Sequence, residues 1–195
     1  MYPRIKRIAD CIFAGLGLLL LSPVFLLVGV LVKTGSAGPV FFRQKRVGAD
    51  KKLFTMLKFR TMRSDAPSEV PTHLLKDPYA YITGVGRFLR KTSLDELPQL
   101  WNILTGDMSL VGPRPALWNQ DDLVARRDLY GANKIRPGLT GLAQVEGRDE
   151  LSIERKAAYD GEYCQHMSFA GDLRILWQTA VSVLTGRDVS EGGPR

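Results

Sequence analysis

Residues 11–32 contain no charged side chain, and no other feature of the chain restricts its possible folds so strongly. About 22 residues rising roughly 1.5 Å each make a helix near 33 Å long, enough to cross a hydrocarbon core of roughly 30 Å. A cleavable signal peptide fits poorly, because its apolar region runs to only about 7–15 residues and the small residues Gly35-Ser36-Ala37 stand beyond a lysine. The segment is therefore expected to stay attached. Ser22-Pro23 sits in its middle. Pro23 lacks an amide hydrogen and crowds the preceding turn, so the helix bends there and a carbonyl near Leu19 loses its donor. Arg4, Lys6 and Arg7 precede the run, and Lys33, Arg43, Lys45, Arg46, Lys51 and Lys52 follow it. An ordinary crossing segment keeps its basic surplus on one side only. Two outcomes stay open: a hairpin that dips into the bilayer and returns, and a kinked span.

A chain of 195 residues with a 45% hydrophobic share has enough apolar material for one packed domain beyond that segment. The expected division is a membrane-embedded element over residues 1–34 and a cytoplasm-facing catalytic domain over residues 35–195. The net charge of +7 suits nucleic acid or an anionic surface equally well. Because the cations bracket the apolar run, membrane lipids are the expected partner and nucleic acid is not. Cys11 and Cys164 lie far apart, and His73 and His166 are isolated, so neither a disulfide framework nor a metal knuckle is expected.

After residue 40 short extended runs alternate with turns. Residues 40–42 and 53–60, separated by Val47-Gly48-Ala49-Asp50, read as a hairpin. On its second strand Lys58 and Arg60 are expected to share one face, with Leu57, Phe59 and Thr61 on the other. Residues 64–78 read as a loop, 83–91 and 94–104 as helices with Gly106 as a stop, and 109–111 as a strand ending in Gly112-Pro113-Arg114-Pro115. Residues 117–130 are expected to be helical, 136–141 a turn and 142–145 a short strand. The remainder is mainly helical, and its apolar stretch 173–184 is either buried or lies in the membrane interface. The fold class is α+β, mainly helical, with a small β-hairpin.

Ser93-Leu94-Asp95-Glu96-Leu97-Pro98-Gln99 carries the most chemistry. Ser93 and Glu96 have capping-box spacing, which would explain Glu96 without catalysis, and Asp95 in a first turn would suit the helix dipole. The surroundings argue for more. Arg114 stands between two prolines whose fixed backbone angles make a rigid mount for a bidentate phosphate contact. Arg136 before Pro137-Gly138, then Gln144 and Arg148, add donors on short loops. Carboxylates among phosphate-binding arginines repel the substrate unless a cation bridges them, so Mg²⁺ is the expected cofactor. Asp95 would then ligate the metal, attack phosphorus as a nucleophile, or do both in sequence.

Five segments taken in order resemble the small monotopic phosphoglycosyl transferases, also called bacterial sugar transferases: Phe42-Arg43-Gln44-Lys45-Arg46-Val47-Gly48, Lys58-Phe59-Arg60-Thr61-Met62, Leu94-Asp95-Glu96-Leu97-Pro98-Gln99, Ser109-Leu110-Val111-Gly112-Pro113-Arg114-Pro115, and Arg136-Pro137-Gly138-Leu139-Thr140-Gly141-Leu142-Ala143-Gln144-Val145. The resemblance implies transfer of a sugar phosphate from a UDP-sugar to undecaprenyl phosphate, with Mg²⁺, giving UMP. It implies a re-entrant helix broken at Ser22-Pro23, interfacial amphipathic helices, and a place on the cytoplasmic face of the bacterial inner membrane. Carried over, Asp95 becomes the covalent phospho-sugar carrier and Glu96 its catalytic partner. Arg114 would hold phosphate with Arg90 as its helper, and Lys58, Arg60, Arg136, Gln144 and Arg148 complete the expected substrate contacts. A phosphate monoester is mostly a dianion at neutral pH, its second pKa being about 6. Glu96 is therefore expected to orient Asp95 or the metal rather than act as a base. Direct transfer without a covalent intermediate and a membrane-tethered basic scaffold are the alternatives. The identity of the sugar and the oligomeric state, a homodimer included, stay open.

Overall fold

The computed structural model describes residues 2–67, 77–147 and 150–185. Helices α1 (Tyr2–Leu20) and α2 (Ser22–Gly35) meet at a 62° bend. Pro23 stands in the first turn of α2, and the Ser22 hydroxyl donates to the Leu19 carbonyl at 2.8 Å. That is the carbonyl a non-proline residue 23 would have bonded. Among the described residues no single helix is long and apolar enough to cross a membrane; only this bent pair combines the length and composition. Ile8, Ile12, Phe13, Leu16, Leu19 and Leu20 of α1, and Leu26, Leu27 and Val30 of α2, are exposed.

The inner faces of both helices belong to the same cores as the rest of the chain. Ala14 of α1 packs with Met56, Leu100, Ile103 and Met108. Val28 and Val32 of α2 pack with Phe59 and Leu89. The expected boundary after residue 34 thus has shared hydrophobic clusters on its two sides.

The hairpin forms as expected, with β1 (Phe41–Val47) antiparallel to β2 (Leu53–Phe59) from Phe41 opposite Phe59 to Val47 opposite Leu53. Helix α3 (Gly84–Lys91) starts on the Thr83 cap, and a 3-10 turn, Leu94–Glu96, leads into α4 (Gln99–Thr105). Gly106 ends α4 in the left-handed region at φ 102°, where glycine carries no Cβ penalty, as its position in the sequence predicts.

The helix read over 94–104 is thus α-helical only from Gln99, and three more expected elements differ. β3 (Ser109–Val111) pairs in parallel with β4 (Gly138–Thr140), inside the segment read as a turn. The residues read as a strand instead form helix α6 (Leu142–Glu146). Close approach explains the first: a Cβ on Gly138 would lie 2.1 Å from Gly112 N, and one on Gly141 would lie 2.1 Å from Gly112 O. The helix read over 117–130 shrinks to α5 (Asp121–Asp128), because Leu117 is held in a bridge to Arg46. Helices α7 (Ile153–Gln165) and α8 (Phe169–Thr185) are the last elements among the described residues. α8 buries Asp172 and Ile175 and exposes Phe169, Leu173, Trp177 and Leu184, so its apolar face is outward rather than in the core.

Candidate active site

Asp95 sits on the 3-10 turn between α3 and α4, anchored because Leu94 and Leu97 pack into the cluster of Val28, Val32, Phe59 and Leu89. No capping box forms. Ser93 adopts a left-handed conformation with φ 55° and caps nothing with its side chain. Glu96 turns instead toward β2, where its Oε1 accepts from Lys58 Nζ at 2.6 Å. The local explanation for Glu96 therefore falls away.

Lys58 is aligned with this turn by Asn102 on α4. Leu57 N donates to Asn102 Oδ1 at 3.0 Å, and Asn102 Nδ2 donates to Thr55 O at 2.8 Å, which bolts α4 to the open edge of β2. The sequence pattern alone does not mark Asn102. Gln99, one turn after Asp95, is also buried, and its side-chain nitrogen has no hydrogen-bond partner among the described residues.

Asp95 is only 8% exposed. Among the described residues its one ion-pair contact is Lys58 Nζ at 4.0 Å, and no hydrogen bond reaches its carboxylate. Burial lifts the carboxyl from its ordinary range to about 6; Lys58 opposes the rise, the Glu96 charge adds to it, and Arg90 and Arg114 oppose it further. At pH 7 about nine-tenths of such a group is ionised. A desolvated carboxylate with free lone pairs is a stronger nucleophile than a solvated one.

Arg114 is the outermost cation, its side chain 46% exposed and its Nη2 3.6 Å from Glu96 Oε1. Arg90 reaches Asp95 electrostatically while its Nε donates to Thr61 Oγ1 at 2.9 Å. Lys58, Arg90 and Arg114 thus gather around the two acids, an arrangement suited to phosphate oxygens arriving from the solvent side of Arg114.

Other expected substrate contacts are placed elsewhere. Arg60 does not share a site with Lys58. β2 ends at Phe59, and the Arg60 guanidinium turns to the end of α2, donating to the carbonyls of Val32, Ser36 and Ala37. Arg136 donates to the Gly106 carbonyl at the far end of α4 from Asp95. It lines a separate cavity of about 270 Å³ with Lys6, Arg7 and Asp10. Most cations there are already engaged: Lys6 with Asp172, and Arg7 with the Ile103 and Leu104 carbonyls. Gln144 is buried and donates to the Leu139 carbonyl. Arg148 and His73 lie outside the described residues. The two cysteines are unpaired.

Among the described residues no cluster of three or more His, Cys, Asp or Glu side chains could cage a metal. The donor set of two adjacent carboxylates fits Mg²⁺ of the kind held by one or two carboxylates and completed by substrate phosphates.

The sequence matches the family model described as bacterial sugar transferase over residues 1–186. It is 40% identical to the exopolysaccharide production protein ExoY of Rhizobium meliloti, over 93% of this chain and 86% of that protein. It is 45% identical to the UDP-glucose:undecaprenyl-phosphate glucose-1-phosphate transferase of Caulobacter vibrioides, over 92% of this chain and 70% of that protein. It is 38% identical to the undecaprenyl-phosphate galactose phosphotransferase of Salmonella typhimurium, over 92% of this chain but 40% of that longer protein. With an Asp95-Glu96 pair ringed by Lys58, Arg90 and Arg114 inside a match of this extent, the chain belongs to the bacterial sugar transferase family.

Proposed function

We propose that this protein transfers a sugar 1-phosphate from a UDP-sugar to undecaprenyl phosphate at the cytoplasmic face of the inner membrane, through a covalent phospho-sugar on Asp95. The observation that carries the reading is the Asp95 carboxylate itself: buried, beside cations, and without a hydrogen bond among the described residues.

In the first step an Asp95 oxygen bonds to the sugar-bearing phosphorus as the bond from that phosphorus to the bridging oxygen breaks. UMP leaves with the electron pair. A terminal oxygen of undecaprenyl phosphate then attacks the same phosphorus, and Asp95 departs as a carboxylate. Arg114 and Lys58 offset the negative charge that brings carboxylate and diphosphate together. Glu96, bonded to Lys58, holds that ammonium beside Asp95 and acts as an orienting group. Asp95 and the donor phosphates would hold Mg²⁺, which would supply positive charge for the departing UMP.

The membrane setting draws support from the bent helix pair with its exposed aliphatic face and from the outward apolar face of α8. A 62° bend keeps both ends of the pair nearer one side of a bilayer, which favours the re-entrant form over a span. The related proteins named for glucose and galactose leave the choice of sugar to experiment. The reading is tested by UMP release from a panel of UDP-sugars with undecaprenyl phosphate withheld. A burst equal to the enzyme concentration is expected for the right donor. Release that requires the acceptor at every enzyme concentration would favour direct transfer instead.

A further inference from the structure

The loop that presents Arg114 is fastened at four successive carbonyls, each by a donor at 2.9 Å: Gly138 N to Pro113 O, Arg127 Nη2 to Arg114 O, Arg46 Nη1 to Pro115 O, and Val47 N to Ala116 O. The two backbone donors extend neighbouring strands. The donor to Arg114 has a different origin. Arg127 on α5 is 5% exposed and is locked by Asp160 on α7, itself 1% exposed. Its Nε and Nη2 lie 2.7 Å and 2.6 Å from Asp160 Oδ2.

A pair buried this deeply gives little stability beyond what apolar side chains of similar volume would give. Its geometry accounts for it better. The rings of Pro113 and Pro115 fix their own φ angles, and Pro115 keeps residue 114 extended. Within that range the Arg114 carbonyl can still rotate, and its side chain with it. The Arg127 hydrogen bond removes this remaining freedom.

We propose that Arg127, held rigid by Asp160, is a positioning residue that aims Arg114 at the substrate phosphate by gripping the Arg114 carbonyl. The inference rests on the reading that Arg114 binds that phosphate. Two helices outside the acid turn thereby set the direction of a cation beside Glu96.

The test is a double-mutant cycle on UMP release, run with melting temperatures. Arg127→Met/Asp160→Leu removes the buried charges together, so the fold is retained while the Arg114 carbonyl loses its donor. The expected result is a fall in kcat/KM of about 10- to 100-fold, the usual consequence of a displaced positioning group. In an Arg114→Ala background the same pair of changes should have almost no further effect. Asp160→Asn, which leaves the guanidinium in place, should lower the melting temperature yet keep most of the activity. If the swap does not fold, Arg127→Lys serves in its place, since one nitrogen must then choose between the carboxylate and the carbonyl. An equal loss in both backgrounds, or no loss in the first, would overturn the inference. Full activity in Arg114→Ala alone would instead overturn the site reading, and the inference with it.

Discussion

Asp95 and Asp172 are both buried aspartates near a lysine, yet their surroundings differ in one respect that separates chemistry from architecture. Asp172 accepts from Lys6 Nζ and the Tyr2 hydroxyl at 2.6 Å each and from the Tyr163 hydroxyl at 2.7 Å. Nearby, Asp10 accepts from Ser109 Oγ at 2.7 Å and from Leu110 N at 3.2 Å. These bonds tie α1 to α7, α8 and β3, so the charge at Asp172 is fully used in holding the first helix to the last. At Asp95 the nearest lysine is drawn off to Glu96, and among the described residues no hydrogen bond occupies the carboxylate's lone pairs. Burial without hydrogen bonds makes a nucleophile, whereas burial with them makes a brace.

Changing Asp95 to Asn should have the largest effect, a loss of UMP release of about 10⁴-fold or more, as expected when a nucleophile is removed. The fold should gain rather than lose. Burial raises the Asp95 carboxyl from its ordinary 3.8 to about 6 in the folded chain, so ionising it costs stability, which falls progressively as pH rises from roughly 4 through 6. Denaturant unfolding should find Asp95→Asn favoured over wild type by up to about 3 kcal/mol more at pH 8 than at pH 4. Asp172→Asn should do the reverse, costing about 2 kcal/mol by taking from the buried Lys6 its nearer carboxylate at 2.6 Å and leaving only Asp10 at 3.7 Å. The acid limb of kcat/KM near pH 6, set by Asp95, should stay where it is in that variant. A shift of the limb would mean that the two clusters are not independent.

Glu96→Gln sharpens the comparison within the site. Releasing Lys58 should slow UMP formation about 10- to 100-fold at every pH from 6.5 to 9, a range typical of a lost positioning or acid–base group. Recovery at high pH would identify Glu96 as a base. The smallest effect belongs to the outward face of α8. Leu173→Ser/Trp177→Ser should weaken co-sedimentation with anionic vesicles, since each side chain contributes up to about 2 kcal/mol on burial, while turnover in detergent is unchanged.

Much of the architecture was legible because local physics governs it. Short extended runs on either side of a glycine-containing turn disclosed the hairpin, Gly106 the end of α4, and Pro23 the break together with the Leu19 carbonyl that loses its backbone donor. The failures share a cause. Ser93 and Glu96 have the spacing of a cap, but Lys58, 38 residues away, decides where Glu96 points. Residues 142–145 are too few to distinguish a strand from a helical turn by period. β4 exists only because Gly138 lies against Gly112. Among the site residues Asp95, Glu96, Lys58, Arg90 and Arg114 are brought together, whereas Arg60 and Arg136 serve helix ends. Asn102, Arg127 and Asp160 carry no sequence signature, since each acts through a partner remote in the chain.

The most direct test is to mix the protein with its UDP-sugar donor, without lipid acceptor, quench in acid and map the labelled peptide by mass spectrometry. The account predicts one sugar phosphate per chain, on Asp95, discharged when undecaprenyl phosphate is added. A protein that turns over with acceptor present but never carries the label at Asp95 would contradict it.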